Sequence, residues 1–143
     1  MINVNDLMRG NFIKTREGIT EVSKIHRDSV GDKWGGIYFD DEIEGIEVTE
    51  ELLHKMGFEK HQILKDKFFW RYWDKEYRYK LDVDFDFCNS DRKWSLHVDN
   101  GDCNTIGCGE FTYLHELMNL TRVITGHSLS ITKEVFNGLG NDA

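Results

Sequence analysis

The chain has 143 residues and a formal net charge of −8, a length that is typical of a single domain with its own core. Aromatic residues make up 13% and charged residues 31% of the chain, and this composition with its periodic pattern excludes a disordered protein. The acidic balance argues against direct binding of nucleic acid, because contacts with phosphates need a basic surface. No apolar run is long enough to span a membrane and no signal peptide opens the chain, so we expect a cytoplasmic protein without membrane contact.

The first half of the sequence predicts a small curled sheet of short strands. Residues 11–17 and 19–26 are predicted as two strands that are joined by a turn near Gly18. Residues 37–39 and 43–48 are predicted as two further strands on either side of an acidic turn. Short strands at this spacing are typical of a small barrel-like sheet.

A short helix follows the predicted strands. It is expected over residues 49–56, starting at Thr49 and closed by Gly57. Phe58 is expected to pack back on this helix. Residues 59–67 are predicted to be a connection between the two halves of the chain.

The second half begins with a predicted antiparallel meander of residues 68–73, 77–88 and 93–99. Apolar and polar side chains alternate without a break along the second of these strands, which is typical of a half-buried strand. A turn of four residues between the second and third strands would pair Asp84 with His97 on the polar face.

The last predicted element is an amphipathic helix over residues 113–124 that covers the apolar face of the meander. Thr112 is expected to cap its start and Gly126 to end it. The apolar side of this helix carries Tyr113, Leu114, Leu117, Met118, Leu120, Thr121 and Ile124. The polar side carries His115, Glu116, Asn119 and Arg122.

Together these elements predict an α+β fold in a single domain of residues 1–143. Residues 1–58 are expected to form a barrel-like half with the short helix. Residues 68–130 are expected to form a second half, in which the antiparallel β-meander is covered by the C-terminal helix.

Three segments of the chain, residues 7–13, 45–58 and 113–126, resemble a family of short uncharacterised proteins from gut bacterial genomes and their phages. They read LMRGNFI, GIEVTEELLHKMGF and YLHELMNLTRVITG, where the family has LRIGNYV, GIPLTEEWLLKLGF and YVHQLQNLYFALTG. The chain departs from the family at Glu47, where the pattern has proline, and at residues 121–123, which replace a more aromatic run. The family has no established activity, so no catalytic residue carries over. The resemblance implies a phage or mobile-element setting and an SH3-like N-terminal barrel followed by a small α+β half.

Four residues of an aromatic segment are candidates for ligand binding: Trp70, Arg71, Trp73 and Arg78. Aromatic side chains are dense between residues 68 and 79, and cationic side chains interleave them. Aromatic faces beside cations are how proteins hold bases and nucleotides. The alternative is a core strand with its edge. In a strand Trp70 faces away from Arg71 and Trp73, so a second layer, a ligand or a partner has to cover one of the two faces.

A second candidate site is acidic. Asp82, Asp84 and Asp86 share one face of the predicted strand, and His97 is expected opposite Asp84. Carboxylates with an imidazole can hold a divalent metal or carry out acid–base chemistry. The alternative is a solvated sheet face on which nearby cations balance the carboxylates.

The cysteines offer a weaker possibility of a zinc site. Cys103 and Cys108 are separated by four residues, and Cys88 or His115 could supply a further ligand. A structural zinc ion needs four ligands, usually from two paired knuckles, and here there is one loose pair. The three cysteines of a chain without an export signal are expected to be reduced thiols. We therefore expect no bound metal and no cofactor.

Three functional hypotheses follow. The first is a non-catalytic binding protein of phage or mobile-element origin, in the cytoplasm of a bacterial or phage-infected host cell. Its partner would be a host protein or a small anionic ligand, such as a nucleotide-type host signal that the protein sequesters. The second is a metal-dependent hydrolase that uses the acidic face. The third is an acidic mimic of nucleic acid, based on Asp40, Asp41, Glu42, Glu44, Glu47, Glu50 and Glu51.

Overall fold

The computed structural model describes residues 2–85, 93–100 and 104–137, which form ten strands and two α-helices. The strands of the first half are β1 (Phe12–Thr15), β2 (Gly18–Glu21), β3 (Lys24–Ile25), β4 (Ser29–Gly31) and β5 (Ile37–Phe39), followed by α1 (Glu50–Lys55). The second half contains β6 (Glu59–Leu64), β7 (Lys67–Asp74), β8 (Tyr79–Phe85), β9 (Trp94–Asp99), β10 (Thr105–Phe111) and α2 (Leu114–Thr125). Short 3₁₀ turns lie at Val4–Asp6, Asp40–Glu42 and Lys133–Phe136.

The first half forms small antiparallel sheets, and no closed barrel is found among the described residues. β1 and β2 form a hairpin in which Thr15 pairs with Gly18, so the predicted turn is confirmed. β3, β4 and β5 form a separate sheet of three strands. The prediction of a strand over residues 43–48 is wrong, because this segment makes only isolated bridges to Lys14 and Tyr113. No ladder joins the two small sheets within residues 2–85, and the expected SH3-like barrel is not found there.

The β1–β2 hairpin contributes to two hydrophobic cores. Phe12 and Ile19 belong to the main core, which the large sheet and both helices share. Ile13 and Val22 belong to a smaller core with the N-terminal segment and the three-stranded sheet. Neighbouring residues of a strand point to opposite faces, and this alternation lets one hairpin serve both cores.

The second half is a five-stranded antiparallel meander in the order β10-β9-β8-β7-β6. Its inner face is buried in the main core with α1 and α2, which confirms that the C-terminal helix covers the meander. Two of its strands were not expected. Residues 59–67, predicted as a connection, contain β6, and the glycine-containing segment before the helix forms β10.

Two glycines of β10 allow α2 to approach the sheet closely. A Cβ atom at Gly107 would lie 2.7 Å from Ile124 Cγ2, and one at Gly109 would lie 2.8 Å from Leu120 Cδ2. Such distances are shorter than van der Waals contact, so larger side chains at these positions would displace the helix.

The ends of both helices follow the sequence in most respects. The hydroxyl of Thr49 accepts a hydrogen bond from the backbone N–H of Leu52 at 3.1 Å and so caps the start of α1. Gly126 ends α2 in the left-handed conformation with φ of 78°. The prediction that Thr112 caps α2 is wrong, because Tyr113 is the residue at the N-terminal cap position. There the carboxylate of Glu116 accepts hydrogen bonds from the backbone N–H groups of Thr112 and Tyr113.

One face assignment in α2 is wrong. His115 was expected on the polar side, but it is only 2% exposed and lies in the interior. The N-terminal segment packs against this side of the helix and removes it from solvent, as the bond from Asn119 Nδ2 to the Asp6 carbonyl shows.

The predicted register of the β8–β9 hairpin is also wrong, by two residues. Asp82 rather than Asp84 pairs with His97, and Phe85 pairs with Trp94. The alternation in β8 determines which face each side chain takes, and a shift by two residues leaves that face unchanged. Residues 86–92, which join the two strands, lie outside the described residues. The expected pair of Phe87 with Trp94 falls on residue 87, outside the described residues.

Candidate functional site

The face of the meander that points away from both helices carries the candidate site, and we call it the outer sheet face. It includes Glu59, His61, Phe69, Arg71, Trp73, Lys80, Asp82, Asp84, Ser95, His97, Asp99, Thr105, Cys108 and Glu110. Trp73, His97, Cys108 and Glu110 are exposed, so the described part of the chain leaves this face open to solvent.

An arginine on β7, the strand next to the edge strand β6, is held by two contacts on the outer sheet face. Arg71 of β7 donates from Nε to Asp82 Oδ1 at 2.7 Å and from Nη2 to Asp82 Oδ2 at 2.9 Å. Its guanidinium carbon lies 5.0 Å from the centroid of the Phe69 ring, which stacks in turn on His61 at 5.2 Å. A bidentate carboxylate and an aromatic ring together fix the orientation of the guanidinium and balance its charge.

A tryptophan stands beside this arginine on the same strand. Trp73 is 40% exposed, and the Lys80 ammonium lies 5.6 Å from its ring centroid. The two residues are direct partners in the pairing of β7 with β8. An indole of this kind has low side-chain entropy to lose, and the ammonium adds a positive charge beside its ring.

The four residues predicted to bind a ligand do not lie on one surface. Arg71 and Trp73 share the outer sheet face, whereas Trp70 is 7% exposed and belongs to the main core. Arg78 is exposed in the turn between β7 and β8, where it adopts a φ of 62°. Beside it, Tyr77 stacks on His127 with ring centroids 3.6 Å apart, which ties this turn to the segment after α2.

The acidic residues of β8 are arranged differently from the proposed metal site. Asp82 is engaged by Arg71, and Asp84 pairs with Ser95 instead of His97. Asp86 lies outside the described residues. Within residues 2–85, 93–100 and 104–137, no group of three or more histidine, cysteine, aspartate or glutamate residues could hold a metal ion.

One of the three cysteines, Cys108, lies among the described residues. Cys108 is a free, exposed thiol on the outer sheet face, opposite His97 in the pairing of β9 with β10. Cys88 and Cys103 lie outside the described residues.

The sequence did not predict the partners of two residues that complete this surface, His61 and Asp82. The sequence gives His61 no partner, because residues 59–67 are predicted as a connection. In the structure β6 pairs with β7, and this pairing places His61 opposite Phe69. Asp82 was expected among carboxylates, but the pairing of Arg71 with Asp82 depends on the register of two strands. The useful signal was the alternation in β7, which separates Arg71 from Trp70.

Comparison of the chain with protein-family models, with curated proteins and with solved structures finds no match. Neither helix in the described ranges has the length and apolar character that a membrane crossing requires.

Proposed function

We propose that the protein is a non-catalytic binding protein and that its outer sheet face binds a protein partner. The observation that carries the proposal is the exposed Trp73 with Lys80, next to an arginine that Phe69 and Asp82 hold in place. Tryptophan and arginine are enriched among the residues that dominate binding energy at protein interfaces. Following the resemblance, we propose a host protein as the partner and the cytoplasm of a bacterial or phage-infected cell as the setting.

The shape of the surface favours a protein over a small molecule. Small-molecule sites are concave and enclose most of their ligand, whereas a sheet face offers a broad open surface. Arg71 is already balanced by Asp82 and needs no anion from outside, so Trp73 and Lys80 define the complementary chemistry. The partner we propose presents apolar side chains to Trp73 and a carboxylate to Lys80.

A nucleotide-type host signal is the second candidate for the same surface. The half-exposed indole of Trp73, with the Lys80 ammonium near its ring, supports this candidate, because bases stack on such rings beside cations. The hydrolase hypothesis has no comparable support among the described residues. The nucleic-acid mimic stays a prediction for the acidic N-terminal residues, of which Glu42 pairs with Arg16.

A comparison of two tryptophans tests the proposed surface. Trp73→Ser removes the indole from the outer sheet face, and Trp34→Ser removes an indole that is 82% exposed in the β4–β5 turn. We expect a host protein that is retained by the native chain and by Trp34→Ser but lost by Trp73→Ser and by Lys80→Glu. Titration of that purified protein should show a loss of about thirtyfold or more in affinity for Trp73→Ser, because such anchors carry about 2 kcal/mol or more.

The same variants separate the two candidates. Saturable binding of nucleotides by the native chain and by Trp34→Ser, lost in Trp73→Ser, would favour the nucleotide-type signal. Equal retention of every partner by Trp73→Ser and the native chain, with melting temperatures unchanged, would rule out the outer sheet face as the binding surface.

A further inference from the structure

A cavity of about 190 Å³ lies on the side of α2 that faces the N-terminal segment, away from the outer sheet face. Four parts of the chain line it: the turn before β1, the end of β2, the second half of α2 and the segment that follows α2. Its polar and charged wall includes Arg9, Glu21, Asn119, Arg122, Ser128 and Ser130.

Two asparagines hold the walls of this cavity together. Asn11, which is 2% exposed, donates from Nδ2 to Asn119 Oδ1 at 2.9 Å. Asn119 donates from its own Nδ2 to the Asp6 carbonyl at 3.0 Å, and Asn11 Oδ1 accepts the backbone N–H of Met8 at 2.7 Å. The hydrogen bonds of the buried Asn11 and the half-buried Asn119 fix the N-terminal segment against α2, so the cavity is formed before a ligand arrives.

The charges at the cavity point to an anionic ligand. Arg9 and Arg122 both line it, and neither forms an ion pair with a carboxylate in the described part of the chain. This is unexpected in a protein whose 26 acidic residues outnumber its 18 basic ones. Guanidinium groups and serine hydroxyls are donors that match carboxylate and phosphate oxygens.

The floor and the volume limit the rest of the ligand. Met118 and Leu129 are buried and supply apolar surface beneath the charged wall. A cavity of about 150 Å³ holds one benzene molecule, so this volume suits a compact molecule with a small apolar body. Sites for larger ligands measure about 300–1,000 Å³, which excludes enclosure of a whole nucleotide here.

We propose that this cavity binds a small molecule with a carboxylate or phosphate group, which Arg9 and Arg122 hold above the apolar floor. Glu21 also lines the cavity, and its carboxylate repels the negative charge of the ligand. It therefore weakens binding and favours ligands with a hydrogen-bond donor on that side.

Thermal shift and calorimetric titration of the full chain with benzoate, phenyl phosphate and neutral benzyl alcohol test the proposal. At least one of the two anions should bind saturably and raise the melting temperature, and benzyl alcohol should not. The relative affinities of benzoate and phenyl phosphate then distinguish a carboxylate from a phosphate site. Binding of neither anion at millimolar concentration, or equal binding of benzyl alcohol, would overturn the proposal.

Three charge variants locate the site. Arg9→Met and Arg122→Met keep an apolar stem and should each weaken anion binding about tenfold, since charge-assisted hydrogen bonds are lost. Arg27→Met removes an exposed arginine of the β3–β4 turn and should change nothing. Unchanged affinity in both Arg9→Met and Arg122→Met would overturn the proposal.

Glu21→Gln should increase the affinity for anions, an effect that a damaged fold would not produce. Removal of the opposing carboxylate should tighten anion binding severalfold, and unchanged or weaker binding by the folded variant would contradict the role of this wall. Trp73→Ser should bind the anions as the native chain does. The cavity and the outer sheet face can therefore fail independently.

Discussion

His115 is a buried histidine without a hydrogen-bond partner for Nδ1 among the described residues. Its ring stacks on Tyr113 with centroids 5.8 Å apart. Burial lowers the pKa of His115 below its ordinary value of 6.5, although the carboxylates of Glu116 and Asp6 act in the opposite direction. The unfolded chain therefore binds more protons than the folded chain between the lowered pKa and 6.5.

This difference predicts how stability depends on pH. The contribution of neutral His115 is fully present above about pH 6.5 and is lost as the pH falls through the lowered pKa. We expect His115→Leu, which cannot be protonated, to lose part of the decrease in unfolding free energy below pH 6.5. Urea unfolding across pH 5–8 measures this slope, with the exposed His54→Leu as the control. The same slope in His115→Leu and the native chain would contradict the buried state of His115.

At the scale of elements, the contact of α2 with β10 depends on glycines that keep the inner face of the strand bare. Gly109→Val should destabilise the protein by about 1–3 kcal/mol, because its side chain would collide with Leu120. Cys108→Val, on the adjacent exposed position of the outer sheet face, should stay within about 0.5 kcal/mol. Chemical denaturation compares the two variants, and an equal effect of both would mean that the space above Gly109 is not restricted.

The same glycines explain which elements the sequence could predict. The alternation in β8 and the apolar stripe of α2 are strong periodic signals, and both elements were found. β10 has glycine at the inner-face positions where a strand normally carries apolar side chains. The alternation of apolar and polar residues that predicts a strand is therefore missing from this part of the sequence. β6 is an edge strand with mostly exposed, polar residues, and edge strands are often charged for this reason.

The sequence could predict which residues of one strand share the outer sheet face, but not which residues of other strands lie beside them. Alternation in β7 places Arg71 and Trp73 together and Trp70 on the other side, as the fold has them. The partners Asp82 and Lys80 come from another strand, and the sequence pattern carries no information on the register that joins them. The cavity at Arg9 and Arg122 joins residues that are far apart in the chain, and no local motif marks it.

At the scale of the whole molecule, the question is whether the two cores unfold together. The β1–β2 hairpin places Ile13 in the smaller core and Phe12 in the main core. Within the main core, the buried bond from Trp94 Nε1 to the Val48 carbonyl at 3.1 Å ties the meander to the segment before α1. Since one hairpin cannot leave either core without disrupting the other, we expect a single cooperative unit.

Substitutions in each core test this cooperativity. Ile13→Ala in the smaller core and Leu117→Ala in the main core each remove a fully buried side chain, and each should cost about 2–5 kcal/mol. Both variants should shift one common urea midpoint, with circular dichroism and tryptophan fluorescence in agreement. Val123→Ala, at an exposed position of α2, serves as the control and should shift the midpoint little. A second transition that Ile13→Ala moves alone would show that residues of the first half unfold independently of the meander and its helix.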